Sequence, residues 1–160
     1  MLAKRVDHFP VGRPGEFLFE PKLDGFRCLA VVDSDRDVHL QSRHGSRFNE
    51  RFPEVVWAVF KHLPAATIAD GEIVRWSSGR LDFAALQHRM VVGRRAAEQL
   101  ARTQPCHYVV FDLLRICGRD MIAKPLIERR KVLEELFASV PAAGVLALGM
   151  QTADDSEARA

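Results

Sequence analysis

The sequence predicts one α+β domain in which antiparallel β-sheets are flanked by helices. Three observations lead there. Short extended runs alternate with turn residues through the first half, helical periodicities are inserted between them, and no tract repeats or loses complexity. At 160 residues, with 48% hydrophobic and 28% charged side chains, the chain has the composition of an ordinary globular domain. A domain of this size buries about 70% of its unfolded surface, so it needs neither disulfides nor a structural metal to fold.

The elements follow in order. From Glu16 to Ser42 the pattern is extended: Phe17-Leu18-Phe19, then Phe26 to Val32, then Val38-His39-Leu40, with Asp33-Ser34-Asp35-Arg36-Asp37 as a turn. This is the pattern of a β-meander. Pro53 to Leu63 is helical, because Val55, Val56, Val59, Phe60 and Leu63 recur at helical spacing, Pro53 suits a first turn and Pro64 stops it. Thr67 to Asp70 and Glu72 to Trp76 read as strand on either side of Gly71, and Ser77-Ser78-Gly79 as a turn. Helical pieces cover Asp82 to Arg89 and Arg94 to Arg102. His107 to Leu114 is a β-branched and aromatic run, hence a buried strand. Pro125 to Ala138 forms a helix with Leu126, Arg130, Leu133 and Phe137 near one face, and Gly144 to Met150 a last strand. Ala153 to Glu157 has the composition of a capped helix start, and the chain reads as a piece that stops while that helix begins.

Charge excludes little. The balance of 23 Lys+Arg against 21 Asp+Glu is +2, and no basic tail advertises nucleic acid. Cys28, Cys106 and Cys117 are odd in number and form no C-x-x-C pair, so neither a disulfide framework nor a zinc ribbon is indicated and a reducing cytoplasm is expected. No apolar run reaches the roughly 20 residues of a membrane span, and Met1 to Pro10 lacks the apolar stretch of a signal peptide. None of the five lysines follows a glycine, no two glycines stand two or four apart, and no histidine begins H-E-x-x-H. A nucleotide site must therefore have another design.

One cluster stands out between two apolar strands: Glu20-Pro21-Lys22-Leu23-Asp24-Gly25-Phe26-Arg27. Its K-x-D-G-x-R pattern arises by chance about once in a thousand chains of this length. Read as local structure, Asp24-Gly25 closes a hairpin and Lys22, Glu20 and Arg27 are solvated turn charges. Read as chemistry, Lys22 is a nucleophile, Gly25 lets the backbone pass close to a ligand, and Arg27 offers a fork of donors to ribose or phosphate oxygens.

The octapeptide resembles the adenylation motif of ATP-dependent DNA ligases, within the covalent nucleotidyltransferase superfamily that also holds RNA ligases and mRNA capping enzymes. The resemblance continues in order through Gln41-Ser42-Arg43-His44-Gly45, Phe48 to Val56, Ala69-Asp70-Gly71-Glu72-Ile73-Val74 and Gly79-Arg80-Leu81-Asp82-Phe83. It extends to Tyr108-Val109-Val110-Phe111-Asp112-Leu113-Leu114 and to Pro125-Leu126-Ile127-Glu128-Arg129-Arg130. Its wording is similar to bacterial ligases of the repair type, and it spans about Met1 to Ala153.

What the resemblance implies is an adenylation domain of the ATP-grasp-like DNA ligase type, using ATP with Mg²⁺ or Mn²⁺ and acting on nicked duplex DNA among other DNA-repair proteins, away from membranes. It implies Lys22 as the residue that receives AMP. Phe111 would stack on adenine, Arg27 and Arg43 would reach ribose or phosphate oxygens, and Glu20 would lie near the base. Glu72 would bind ribose or metal, with Asp24 as a second metal or orienting carboxylate.

The family pattern continues with E-G-x-V-x-K and K-x-K motifs, which supply another metal carboxylate and lysines on the α-phosphate. Neither occurs here: past Glu135 the only acids are Asp154, Asp155 and Glu157, and no lysine follows Lys131. Residues 1–160 are thus expected to be a partial adenylation domain without the OB-fold domain that completes these ligases, weakly active or inactive alone. An RNA ligase, a capping-type nucleotidyltransferase or a non-catalytic ATP- or DNA-binding remnant is the rival expectation.

Overall fold

A computed structural model describes residue 10 and residues 16–159. The leader expectation for Met1 to Pro10 therefore lies, apart from Pro10, outside the described residues.

Strands β1 (Phe26–Val32) and β2 (Val38–Ser42) form the first antiparallel pair, in register from Val32↔Val38 to Cys28↔Ser42. The turn between them is built by Asp33, whose Oδ1 accepts from the backbone N–H of Asp35 at 2.9 Å and of Asp37 at 2.8 Å. The outer edge of β2 is covered by Asn49. Its side chain accepts from Leu40 N–H at 2.9 Å and donates to Val38 O at 2.7 Å, so the edge cannot recruit another strand.

Helix α1 (Pro53–His62) carries Pro53 in its first turn and buries Val55, Ala58 and Val59. Strand β3 (Thr67–Val74) is continuous through Gly71. The sequence reading put a break there; instead Gly71 is needed because a Cβ would stand 2.5 Å from Val109 O and 2.7 Å from the Tyr108 ring. Strands β4 (Trp76–Ser77) and β5 (Arg80–Leu81) form a hairpin whose turn residues, Ser78 (φ 50°) and Gly79 (φ 78°), are both left-handed.

Helix α2 (Phe83–Val91) starts at Asp82, whose side chain accepts from Ala85 N–H at 2.9 Å. Helix α3 (Arg94–Thr103) leads to strand β6 (His107–Ile116), and strand β7 (Arg119–Asp120) folds back on its end. Helix α4 (Leu126–Phe137) then carries the chain to strand β8 (Leu146–Leu148), and helix α5 (Asp155–Arg159) is the last described element.

The main sheet runs β2-β1-β3-β6-β7, with β8 also on β6. All its pairings are antiparallel except β6 with β8, in register from Tyr108↔Leu146 to Val110↔Leu148. The exception has a simple cause: α4 is a crossover, which returns the chain in the direction it left β6. The core collects Cys28, Ala30 and Val32 from β1, Leu40 from β2, and Leu133 from α4. At its centre Tyr108 is fully buried, and its hydroxyl donates to Cys28 O at 2.8 Å and Ala69 O at 3.0 Å, joining three strands.

These elements belong to a unit spanning Leu23–Gly149. Met1–Lys22 and Met150–Ala160 form a second unit. In it Phe19 and Thr152 make one antiparallel bridge, with hydrogen bonds of 2.8 and 3.0 Å, where the sequence reading expected a strand over Phe17 to Phe19. Asp154 starts α5 as expected, its Oδ1 accepting from Ser156 N–H at 2.7 Å.

Candidate active site

Antiparallel register brings the expected residues of the larger unit to one end of the sheet. Arg27 at the start of β1 is paired with Glu72 near the end of β3, and Glu72 with Val109 on β6. Alternation sends Cys28, Gly71 and Val110 to the core and leaves Arg27, Glu72 and Val109 on the opposite face. Between Asp70 and Gly71 the register slips: Gly71 opposes Val110, but Asp70 opposes Asp112, so Phe111 is an extra residue on β6. Its ring reaches Arg27, whose guanidinium carbon lies 5.6 Å from the ring centroid. Arg27, Glu72 and Phe111 thus share a face.

Arg27 is also held by a residue to which the sequence reading gave no role. Its Nε and Nη2 donate to Asp70 Oδ1 at 3.1 Å and Oδ2 at 2.7 Å. These bonds hold the guanidinium charged, its pKa raised above the ordinary arginine value. Asp70 is 6% exposed, and the Arg27 side chain 44%, so the fork is anchored at its base and open to ligand at its rim. Asp112, next to Phe111, is held in turn by Arg129 of α4 through a two-bond pair of 2.8 and 2.8 Å. That partner likewise raises the Arg129 pKa.

Asp24 is exposed in the loop before β1. Gly25 presses this loop against the end of β3, where an added Cβ would collide with Ile73 O and stand 2.9 Å from Glu72 Cγ. Asp24-Gly25 is therefore a close backbone approach to β3, not the closure of a hairpin. Arg43 is exposed in the turn over 42–46, directly after Ser42, which pairs with Cys28; it sits at the same end of the sheet as Arg27. His44 N–H and Ser46 N–H donate to Ser42 Oγ at 3.3 and 2.9 Å, and Gly45 takes φ 84°, so the turn carrying Arg43 has a defined shape.

Glu20 and Lys22 belong to the second unit. Glu20 accepts from the Gln151 side chain at 2.9 Å, and Lys22 is exposed. Among the described residues no three His, Cys, Asp or Glu side chains gather as a metal cluster. Carboxylates such as Glu72 and Asp24 are the donor type that Mg²⁺ or Mn²⁺ takes, one or two at a time, completing the shell with water and phosphate.

The model of the ATP dependent DNA ligase domain matches residues 1–160. The chain belongs to that family. It is 38% identical over 138 residues to DNA ligase C2 of Mycolicibacterium smegmatis, covering 86% of this chain and 38% of that protein. DNA ligase C of Mycobacterium tuberculosis is 38% identical over 133 residues, covering 83% of this chain and 36% of its own length. Among solved structures, mycobacterial DNA ligase D complexed with ATP and MES superposes with a TM-score of 0.66 at 28% identity, over 88% of this chain and 42% of that one. The ligase domain of M. tuberculosis LigD gives 0.65 at 27% identity, over the same shares. The α+β architecture is thus the one the ligase resemblance implies, and the chain spans about four-tenths of the length of these relatives. No described helix is long and apolar enough to cross a membrane.

Proposed function

We propose that the ligase-family chain of residues 1–160 is the lysine-bearing part of an adenylation domain, whose Lys22 takes AMP from ATP so that nicks in duplex DNA can be sealed during repair. The observation that carries this reading is the meeting of Arg27, Glu72 and Phe111 on one sheet face, with Lys22 five residues before Arg27 in K-x-D-G-x-R.

Each residue then has a task. Lys22 Nζ, once deprotonated, attacks the α-phosphorus of ATP; a P–N bond forms, the bond to the bridging oxygen breaks, and pyrophosphate leaves. Phe111 offers its ring to adenine, an exchange in which the base competes with or stacks beside the Arg27 guanidinium. Arg27, anchored on Asp70, and Arg43 donate to ribose or phosphate oxygens, and Glu20 is the candidate that the family resemblance offers for a contact to the base. Glu72 and Asp24 would hold the divalent cation, which supplies charge neutralisation for the phosphates when bound. In an intact ligase AMP next moves to the 5′-phosphate of the nick, and the 3′-hydroxyl displaces it. Nicked DNA and other repair proteins are the corresponding partners, and the cytoplasm the corresponding place.

The names of the relatives support DNA over RNA as the polynucleotide. The missing E-G-x-V-x-K and K-x-K motifs favour slow adenylation by residues 1–160 alone, since they carry cations that phosphoryl transfer depends on. Incubation with α-labelled ATP and Mn²⁺ tests the reading. An acid-labile label is expected on the chain and none on Lys22→Ala; a label persisting in that variant would refute the assignment of Lys22. ATP binding without label would favour the non-catalytic nucleotide-binding remnant.

A further inference from the structure

Two neighbouring buried arginines of α4, Arg129 and Arg130, hold the two sides of Phe111. We propose that they are positioning residues, which fix the Phe111 ring as the base platform and so set the preference of the site for a nucleotide over bare polyphosphate. The inference rests on the reading of Phe111 given above and deepens it.

The bulge at Phe111 creates the need. An extra residue on β6 turns a side chain onto the ligand face, but it also breaks the ladder there, because Phe111 has no Cα partner on β3. Something outside the ladder must hold it. On one side, Asp112 is gripped by the Arg129 fork at 2.8 and 2.8 Å, while Arg129 Nη1 donates to Lys124 O at 2.6 Å. Asp112 Oδ1 also accepts from Leu113 N–H at 2.8 Å, so the carboxylate is fixed to its own backbone and to α4 together.

On the other side runs Gly149. Its N–H donates to Val110 O at 2.7 Å, and a Cβ there would stand 3.2 Å from Phe111 Cβ. Gly149 O accepts from Arg130 Nη2 at 2.7 Å. Arg130 is 6% exposed, and its Nη1 has no hydrogen-bond partner among the described residues. An arginine kept in that position at a cost to stability marks a constraint that a purely apolar contact would not meet. A lysine could replace the charge of either arginine but not the fork that holds Asp112 or spans Glu134 and Gly149.

Fastening α4 to the sheet would be a merely structural role, and the two are separable by ligand choice. ATP and tripolyphosphate are titrated calorimetrically against the 160-residue chain, Arg129→Lys, Gly149→Ala and, as the limit, Phe111→Ala. Base stacking is worth roughly 5- to 150-fold in affinity. Arg129→Lys and Gly149→Ala should each lose about tenfold in ATP affinity with tripolyphosphate affinity held within about twofold. An unchanged ATP-to-tripolyphosphate ratio in either folded variant overturns the proposal, as does an equal loss of both ligands. If Arg129→Lys does not fold, Arg130→Lys decides, since it keeps the charge and removes the fork spanning Glu134 and Gly149, and the same loss of ATP preference is expected of it. A wild-type chain with no preference for ATP over tripolyphosphate would refute the base-platform reading itself, a different failure.

Discussion

Replacing Arg89 should do more damage than any other single loss of charge in the larger unit. Arg89 is 2% exposed on α2, and Nη2 donates to Glu54 at 2.9 and 3.0 Å and to Arg51 O at 2.7 Å. Glu54 Oε1 also accepts from Cys106 N–H at 2.9 Å, so one buried pair ties α1, α2 and the entry to β6. Arg89→Met leaves the Glu54 carboxylate, whose side chain is 8% exposed, with that single amide donor. Breaking one side of a buried pair costs about 3–5 kcal/mol. Against a total stability of about 5–15 kcal/mol this is a large share. At about 2–4 °C per kcal/mol for a chain this long, Tm should fall by about 6–20 °C. Thermal unfolding followed by circular dichroism measures the Tm, and urea unfolding followed by tryptophan fluorescence measures the free energy. The double variant with Glu54→Met removes the orphaned charge and should be less destabilised than the sum of the singles by at least about 2 kcal/mol. Arg94→Ala is the control: its exposed pair with Glu98 should be worth less than about 0.5 kcal/mol. A cost below about 1 kcal/mol for Arg89→Met, or additivity in the double variant, would refute the reasoning.

Three further outcomes follow from burial. His107 has a buried Nδ1 without a hydrogen-bond partner among the described residues, and its pKa is lowered below 6.5, first by burial and then by the Arg75 charge. The unfolded chain therefore binds the proton more readily, so stability is fully present above about pH 6.5 and lost as pH falls toward the folded-state pKa; His107→Gln should flatten that slope in urea titrations between pH 5 and 7. Burial pushes the Cys28 and Cys106 thiols up to about 12, whereas Cys117 is exposed. A disulfide reagent at pH 8 should accordingly titrate one thiol in the native chain and three in guanidinium, and a second fast thiol would show that the core opens. Gly71→Ala should cost about 1–3 kcal/mol by forcing a Cβ against Val109 O and the Tyr108 ring, and a neutral result would show that β3 and β6 can part there.

Local patterns made most of the fold legible. The helices over 53–62 and 126–137 and the strands over 26–32 and 107–116 announce themselves by periodicity and by proline at helix starts. Misreadings came where a residue's neighbours were distant in sequence. Gly71 looks like a break because glycine weakens a strand in isolation; only the Tyr108 ring and Val109 O lying against it show why the strand needs it. Phe17 to Phe19 has the composition of a strand, but a strand exists only through its partner, and Thr152 supplies one bridge. The parallel β8 was implicit in the helix before it, since a crossover reverses the expectation drawn from hairpins alone.

The site was legible by type more than by arrangement. Arg27, Glu72 and Phe111 stand out in apolar surroundings, and period-two spacing puts Asp70 on the same face as Glu72, a signal sufficient to find Asp70 as well. Nothing local reveals that Asp70 takes the Arg27 fork, because the two are 43 positions apart. Nor does it reveal the register slip that turns Phe111 toward Arg27, since bulges depend on both strands. This has a consequence for the charge balance of the face. Asp70, Glu72 and Asp112 each act on the Arg27 charge, and Arg27 and Arg129 bind Asp70 and Asp112 in two-bond pairs. With Asp70 and Asp112 each neutralised by a fork, the repulsion that a polyphosphate would meet from these two acids is reduced. Arg27, which the sequence offers as a ligand-binding group, therefore also masks the acid beside it, and substituting Asp70 should release Arg27 rather than disable the face outright.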